Sequence, residues 1–216
     1  PFTLGVDATV RRLLAEGWLG EPLAVECRFP GGFLDRHAPL HWRQDMEISG
    51  FNIGMLGIAY ETVLRWIGAA TRVVALSRTF VRMRPDAEHR LREIRIPDHL
   101  DVLAEMACGA QLHFRHSPAT ALAPGPGFWL YGSEGTLRIH ENALSGARRG
   151  ETALSPIAIP ESERGGWRVE EEFVGAIRGT EPVRLTTFAE GVRYMEFVEA
   201  VSRSLTEERV IPLPLA

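Results

Sequence analysis

The chain has 216 residues, of which 45% are hydrophobic and 24% charged, and its formal net charge is −4. Such a length and balance fit one large globular domain or two small ones with a real core, and they exclude a basic nucleic-acid surface, since Lys and Arg nowhere cluster beyond a pair or triplet. Two cysteines, Cys27 and Cys108, make no disulfide framework and point to a reduced, cytoplasmic setting.

Residues 5–17 carry Val6, Val10, Leu13 and Leu14 at helical spacing, with Gly17 placed to close the helix. "EPLAVECRFP" (21–30) alternates as a strand does and ends on Pro30. Residues 31–48 hold Gly, Pro, His and Trp without a period and read as a long loop. "SGFNIGMLGIAYETVLRWIG" (49–68) follows as an apolar helix. It is about as long as a membrane span, but Asn52, Glu61 and Arg65 inside it would be costly in lipid, so a buried helix of a soluble domain is expected. From 71 to about 148 the period becomes two. Short runs bounded by Gly, Pro, Asp or Asn predict six or seven adjacent strands, with short connections that favour antiparallel pairing. "YGSEGTL" (131–137) is a hairpin signal, with Gly132 and Gly135 available for positive φ. A Pro/Gly/Ser-rich segment, 150–165, leads to helices over 167–179 and 187–206 and a short closing edge segment.

Helices that bracket a block of strands predict an α+β domain: one large, open, mainly antiparallel sheet with helices packed on one face. The alternates Val74, Leu76, Phe80, Leu112 and Phe114 would then make the other face apolar, a surface for homo-dimer or tetramer formation.

Few catalytic motifs are present. "GPGFWLYG" (125–132) approaches a dinucleotide-binding turn but has Leu130 in place of the third glycine and leads into a strand. His37 and His41 are separated by Pro39, and His113 and His116 are three apart on a strand, so they point to opposite faces; neither pair has a completing Cys or carboxylate, and no metal site is expected. "LHWRQDMEISG" (40–50) is richer. Trp42 offers a stacking face, Arg43 a partner for a carboxylate or hydroxyl and His41 a proton carrier, as in a sugar or hydroxy-acid pocket. The same residues also suit a solvated loop anchored by Trp42. On the following helix Glu61 and Arg65 are spaced as a local ion pair. Asn52 suits a cap and Tyr60 an amphipathic core position.

In order along the chain, "VRRLLAEGWLGEPLAVECRF", Trp42-Arg43, an apolar helix ending "LRWIG", "TRVVAL", "YGSEGTLRI", Trp167 with "FVGAIRG" and Pro182, and "AEGVRYMEFVEAVSRSL" with "RVIPLP" resemble the C-terminal domain of the glucose–fructose oxidoreductase, inositol dehydrogenase and rhizopine-catabolism (Gfo/Idh/MocA) family. The resemblance covers essentially the whole chain. It implies a single C-terminal domain, 1–216, that contacts a sugar or polyol and builds oligomers. The NAD(P)-binding Rossmann domain would belong to the full-length enzyme and is absent from this chain, which opens on Pro1 and is expected to bind no nucleotide alone. The family pattern Gly-Gly-Gly-x-x-x-Asp-x-Gly-x-His places its Asp and His on Leu56 and Tyr60 when counted from Gly50, or on Met55 and Ala59 when Gly57 is the family's glycine. Both registers lack the pair. Tyr60, Glu61 and His41 are the candidates to replace it, with Asn52, Trp42 and Arg43 toward the substrate. The alternative is a non-catalytic binding or assembly module that keeps the fold.

Overall fold

A computed structural model describes residues 4–51, 53–183 and 186–215. Helix α1 (Asp7–Ala15) buries Val10 and Leu13 and leads to strand β1 (Pro22–Pro30). The loop expected over 31–48 holds a 3₁₀ turn, Trp42–Gln44, and a short helix, α2 (Met46–Ser49). The long helix expected over 49–68 is therefore broken. Its main part, α3, runs only from Leu56 to Trp66, and Gly50 and Gly54 upstream take positive φ of 58° and 52°.

The strands are β2 (Ala70–Arg78), β3 (Met83–Pro85), β4 (Leu91–Glu93), β5 (His99–Met106), β6 (Gln111–Ser117), β7 (Gly127–Gly132), β8 (Gly135–His140), β9 (Ala143–Arg148) and β10 (Ser155–Pro156). Helices α4 (Val169–Arg178) and α5 (Phe188–Glu207) and strand β11 (Ile211–Pro212) complete the chain. Among the described residues, nine strands form one sheet in the order β10-β9-β8-β7-β1-β6-β5-β2-β11, while β3 and β4 make a separate ribbon. The alternation that begins at 71 is thus divided after Arg78, with β2 in the large sheet and β3 in the ribbon. All neighbours in the large sheet are antiparallel except β1 and β6, which are parallel, with Cys27 opposite Phe114. The fold is the expected open α+β sheet, with its first strand inserted at the centre.

The core lies between this sheet and the helices. Tyr60 of α3 stacks on Phe197 of α5 with ring centroids 3.6 Å apart, and Trp66 meets Phe128 edge-on at 5.4 Å. On β6 the polar alternates Gln111, His113 and Arg115 face out, while Leu112 and Phe114 are each only 2% exposed. Their expected place on the outer face is therefore reversed: alternation fixes the two sides, and the polar set takes the water. Val74, Leu76 and Phe80 are exposed as expected.

The β7–β8 hairpin forms, but Gly132 and Gly135 do not take positive φ. What glycine supplies there is close approach. A Cβ at Gly132 would lie 2.2 Å from the carbonyl oxygen of Leu19, and one at Gly135 would lie 2.8 Å from the Trp18 ring. The chain between α1 and β1 crosses directly over the hairpin.

Candidate functional site

Two cavities adjoin at the N-terminal end of α3. One, of about 510 Å³, is mainly apolar and lies between α3 and the ends of β1, β7 and β8. From α3 it takes Met55, Ile58, Ala59 and Thr62, the i, i+3, i+4 and i+7 positions of one helix face. Phe29 and Phe128, in edge contact at 5.8 Å, face them from the sheet. The second cavity, of about 520 Å³, carries more polar groups, namely His41, Arg43, Gln44, Arg84 and Asp98, in a wall that is otherwise mainly apolar and that includes the segment Gly54–Met55. His116 and Met55 line both.

The polar cavity exists because the β3–β4 ribbon holds the 31–48 loop. Arg84 on β3 donates through Nη1 to the carbonyl of Ala38 at 2.8 Å and through Nη2 to that of Asp35 at 3.1 Å. The Leu40 N–H donates to the carbonyl of Pro85 at 2.8 Å. At the neck of the ribbon the carboxylate of Asp98 accepts the N–H groups of Phe80 and Val81, at 2.7 and 3.0 Å.

His116 follows Leu112 and Phe114 on the inward side of β6, so its imidazole stands where the alternation calls for an apolar group. It sits directly over Gly54: a Cβ there would lie 2.7 Å from its Cε1 and Nε2. Its Nδ1 is buried and, among the described residues, has no hydrogen-bond partner. Burial, then the nearby His99, lowers its pKa below the ordinary histidine value, while Asp98 pulls the other way. The neutral ring is a proton acceptor at neutral pH, held between two cavities without a fixed partner. The wholly buried Cys27 offers no nucleophile, because desolvation pushes its thiol far up. Among the described residues no group of His, Cys, Asp and Glu could hold a metal ion.

The residues singled out from the sequence fall into separate places. His41 and Arg43 line the polar cavity. His41 also caps the 3₁₀ turn, its Nδ1 accepting the Arg43 N–H at 3.2 Å. Trp42 is half exposed and lines neither of these cavities; its ring lies 4.3 Å from the Arg43 guanidinium carbon. Tyr60 is 4% exposed and lies in the core, away from both cavities, where its hydroxyl oxygen accepts the Ala70 N–H at 2.9 Å. Glu61 is buried on the same helix and accepts a hydrogen bond from the Thr186 hydroxyl. Its expected ion pair with Arg65 is replaced, since Arg65 Nη2 donates to Asp7 of α1 at 2.6 Å. Asn52 lies outside the described residues. Of the two family registers, Met55 and Ala59 are the pair on the cavity wall; Leu56 and Tyr60 face the core.

An open sheet covered by helices on one face, with a ligand-sized double cavity at the tip of a glycine-broken helix, defines the class as an α+β domain. The chain belongs to the GFO/IDH/MocA C-terminal domain family, which matches residues 8–138. Its fold is similar to that of an NAD binding oxidoreductase from Klebsiella pneumoniae, with 20% identity and a TM-score of 0.80 over 99% of this chain and 65% of that one. It is also similar to levoglucosan dehydrogenase in complex with NADH and L-sorbose (18%, 0.82, 96% and 63%). An oxidoreductase domain protein from Kribbella flavida is a third (23%, 0.81, 98% and 64%). The chain thus spans 65% or less of the length of these structures. None of the curated proteins compared matches it in sequence.

Proposed function

We propose that this chain is the substrate-binding and assembly domain of an NAD(P)-dependent oxidoreductase acting on a sugar, a polyol or a related hydroxy compound. The observation that carries the reading is the double cavity at Gly54–Met55, with the unpartnered imidazole of His116 between its halves. A chamber with several polar groups in its wall beside a more apolar one suits a hydroxylated substrate presented to a flat ring. The family and the sugar-bound structural neighbour support the same substrate class.

In this reading the nicotinamide nucleotide supplies redox chemistry but is held by a part of the enzyme outside this chain. The glycine-bearing segment 125–127 runs into strand β7, not into a helix. This chain's share is to bind and orient the substrate, to exclude water with Met55, Phe29 and Phe128, and to take a hydroxyl proton on His116. His41 and Arg43 remain proposed substrate contacts, while Tyr60 and Glu61 serve the packing of α3. Helix α4 leaves Phe173 and Ile177 exposed on one face, which suits an apolar partner such as the nucleotide domain of the same enzyme. Exposed Val74, Leu76 and Leu103 on the outer sheet face suit association between copies as a dimer or tetramer. No helix of the described residues is long and apolar enough to cross a membrane. Free Cys27 and Cys108 fit the proposed cytoplasmic location.

The test is oxidation of a panel of sugars, polyols and sugar acids by the full-length gene product with NAD⁺ and NADP⁺. His116→Asn is expected to lower kcat by about 10²-fold or more while the circular-dichroism spectrum is kept. Because burial depresses the His116 pKa, its neutral form persists below the ordinary value of about 6.5, so the acid limb of kcat should fall below that pH and vanish in the variant. Full-length protein that neither binds nor oxidises any member of the panel would remove the reading. Unchanged kcat in His116→Asn would remove His116 from it.

A further inference from the structure

The polar cavity carries positive charge that its own walls do not neutralise. Arg84 is 5% exposed. Two carbonyls occupy its Nη atoms, but among the described residues its buried Nε has no acceptor and the side chain no carboxylate partner. A guanidinium removed from water to this extent is strongly destabilising unless an anion or a full set of acceptors compensates it, and two neutral carbonyls do so only in part. Arg43 lines the same cavity and leans on the Trp42 ring, also without an ion pair among the described residues. The imidazoles of His41 and His116 add nitrogen, not negative charge. Among the described residues, one wall carboxylate opposes them, Asp98, one of whose oxygens is engaged by the two N–H groups at the ribbon's neck. The buried Arg84 is thus left without a full countercharge, and the exposed Arg43 on the wall of the same cavity adds a second donor, which leaves room for one anion.

We propose that the polar cavity seats a carboxylate, and that the substrate is a sugar acid or hydroxy acid rather than a neutral sugar. Its carboxylate lies against Arg84 and Arg43, and its hydroxyls extend past His41 toward His116. Guanidinium and carboxylate match in a planar, two-point geometry, and the pairing is worth most where water is excluded. This rests on the oxidoreductase reading above and narrows its substrate class.

Matched ligands separate the two. D-gluconate and D-sorbitol differ at one chain end, carboxylate against hydroxymethyl; D-glucuronate and D-glucose differ in the same way. Calorimetric titration into the full-length protein should show each acid binding about tenfold or more tighter than its neutral partner, as expected for one desolvated charge-assisted contact. Arg84→Gln should bring acid and neutral ligand to within about twofold of each other. If Arg84→Gln does not fold, Arg43→Gln carries the test, because Arg43 is exposed and can be replaced without emptying the core; it should weaken the acids severalfold more than sorbitol and glucose. Neutral ligands binding as tightly as the acids would overturn the carboxylate seat and leave the oxidoreductase reading standing. An acid preference untouched by both substitutions would also overturn it, since the carboxylate would then be held elsewhere. Binding of none of the four would count against both.

Discussion

At the scale of single residues, the site is governed by which face of α3 each side chain takes. The sequence leaves two registers for the missing acid–base pair because neither contains an acid or a histidine to anchor the count. Only packing separates them. Met55, Ile58, Ala59 and Thr62 line the cavity, while Leu56, Tyr60 and Val63 are buried against the core. Tyr60 has the chemistry of a proton relay and the environment of a spacer. Burial raises its pKa, opposed by the Ala70 N–H that its oxygen accepts. That N–H is available because the β2–β5 ladder shifts register between Ala70 and Arg72. Tyr60→Phe should therefore keep the stack on Phe197 but strand a buried donor, costing roughly 1–3 kcal/mol in urea unfolding. Ligand affinity and kcat should stay unchanged, and a drop in kcat without a drop in stability would return Tyr60 to the chemistry. His116 was harder to recognise. The alternation of β6 puts it inward, but nothing in its own neighbourhood of sequence shows that Gly54, far along the chain, leaves space over which its ring can lie.

At the scale of elements, α3 is positioned by a buried tie that local spacing did not reveal. Glu61 and Arg65 are placed for an i,i+4 pair, which in an exposed helix is worth only about 0.2–0.5 kcal/mol. Tertiary partners prevail for both. One oxygen of Asp7 accepts from Arg65 at 2.6 Å and the other from the Trp66 indole N–H at 2.9 Å, all three groups being largely buried. The Asp7 carboxylate thereby locks α1 to the C-terminal turn of α3, and the opposite end of α3 carries the cavity. Removing one member of such a pair leaves an uncompensated charge, so Asp7→Ala should cost on the order of 3–5 kcal/mol. Asp7→Asn, which keeps an acceptor, should cost less. Thermal unfolding in the two variants checks the ordering; equal losses would mean that the charge is unimportant and only the side-chain volume matters. The ribbon β3–β4 is the other element hidden from the sequence. Its strands are three residues each, and they merge with the flanking alternation until Pro85 and Asp86 are seen to turn the chain away from the large sheet.

At the scale of the molecule, the sheet was legible as a block of alternating runs, whereas the place of β1 was not. It pairs with β6 and β7, some ninety and a hundred residues away, and no local period encodes a non-local neighbour. Its central position sets which surface is left open. On that outer face Val74 lies opposite Leu103, with Leu76 beside them, and the three are 37%, 54% and 75% exposed. A polar network borders this strip. Burial pushes the Asp101 carboxyl up, but hydrogen bonds from Arg115 at 2.7 Å, His99 at 2.8 Å and His113 at 3.2 Å bring it below the ordinary carboxylate value. An apolar strip with a satisfied polar border has the make-up of an interface core and rim. If copies associate through it, as proposed, Leu103→Glu places a charge at the centre, beside Asp101 and Glu105 of the same strand. The side chain is more than half exposed in the single chain, so the folded protomer should lose within about 0.5 kcal/mol of stability. Burying that unpaired carboxylate between copies is far costlier. Sedimentation of full-length protein at micromolar concentration should therefore show an oligomer that Leu103→Glu converts to a folded monomer. An unaltered protein that sediments as a monomer, or an oligomer indifferent to the substitution, would move the assembly surface away from this face.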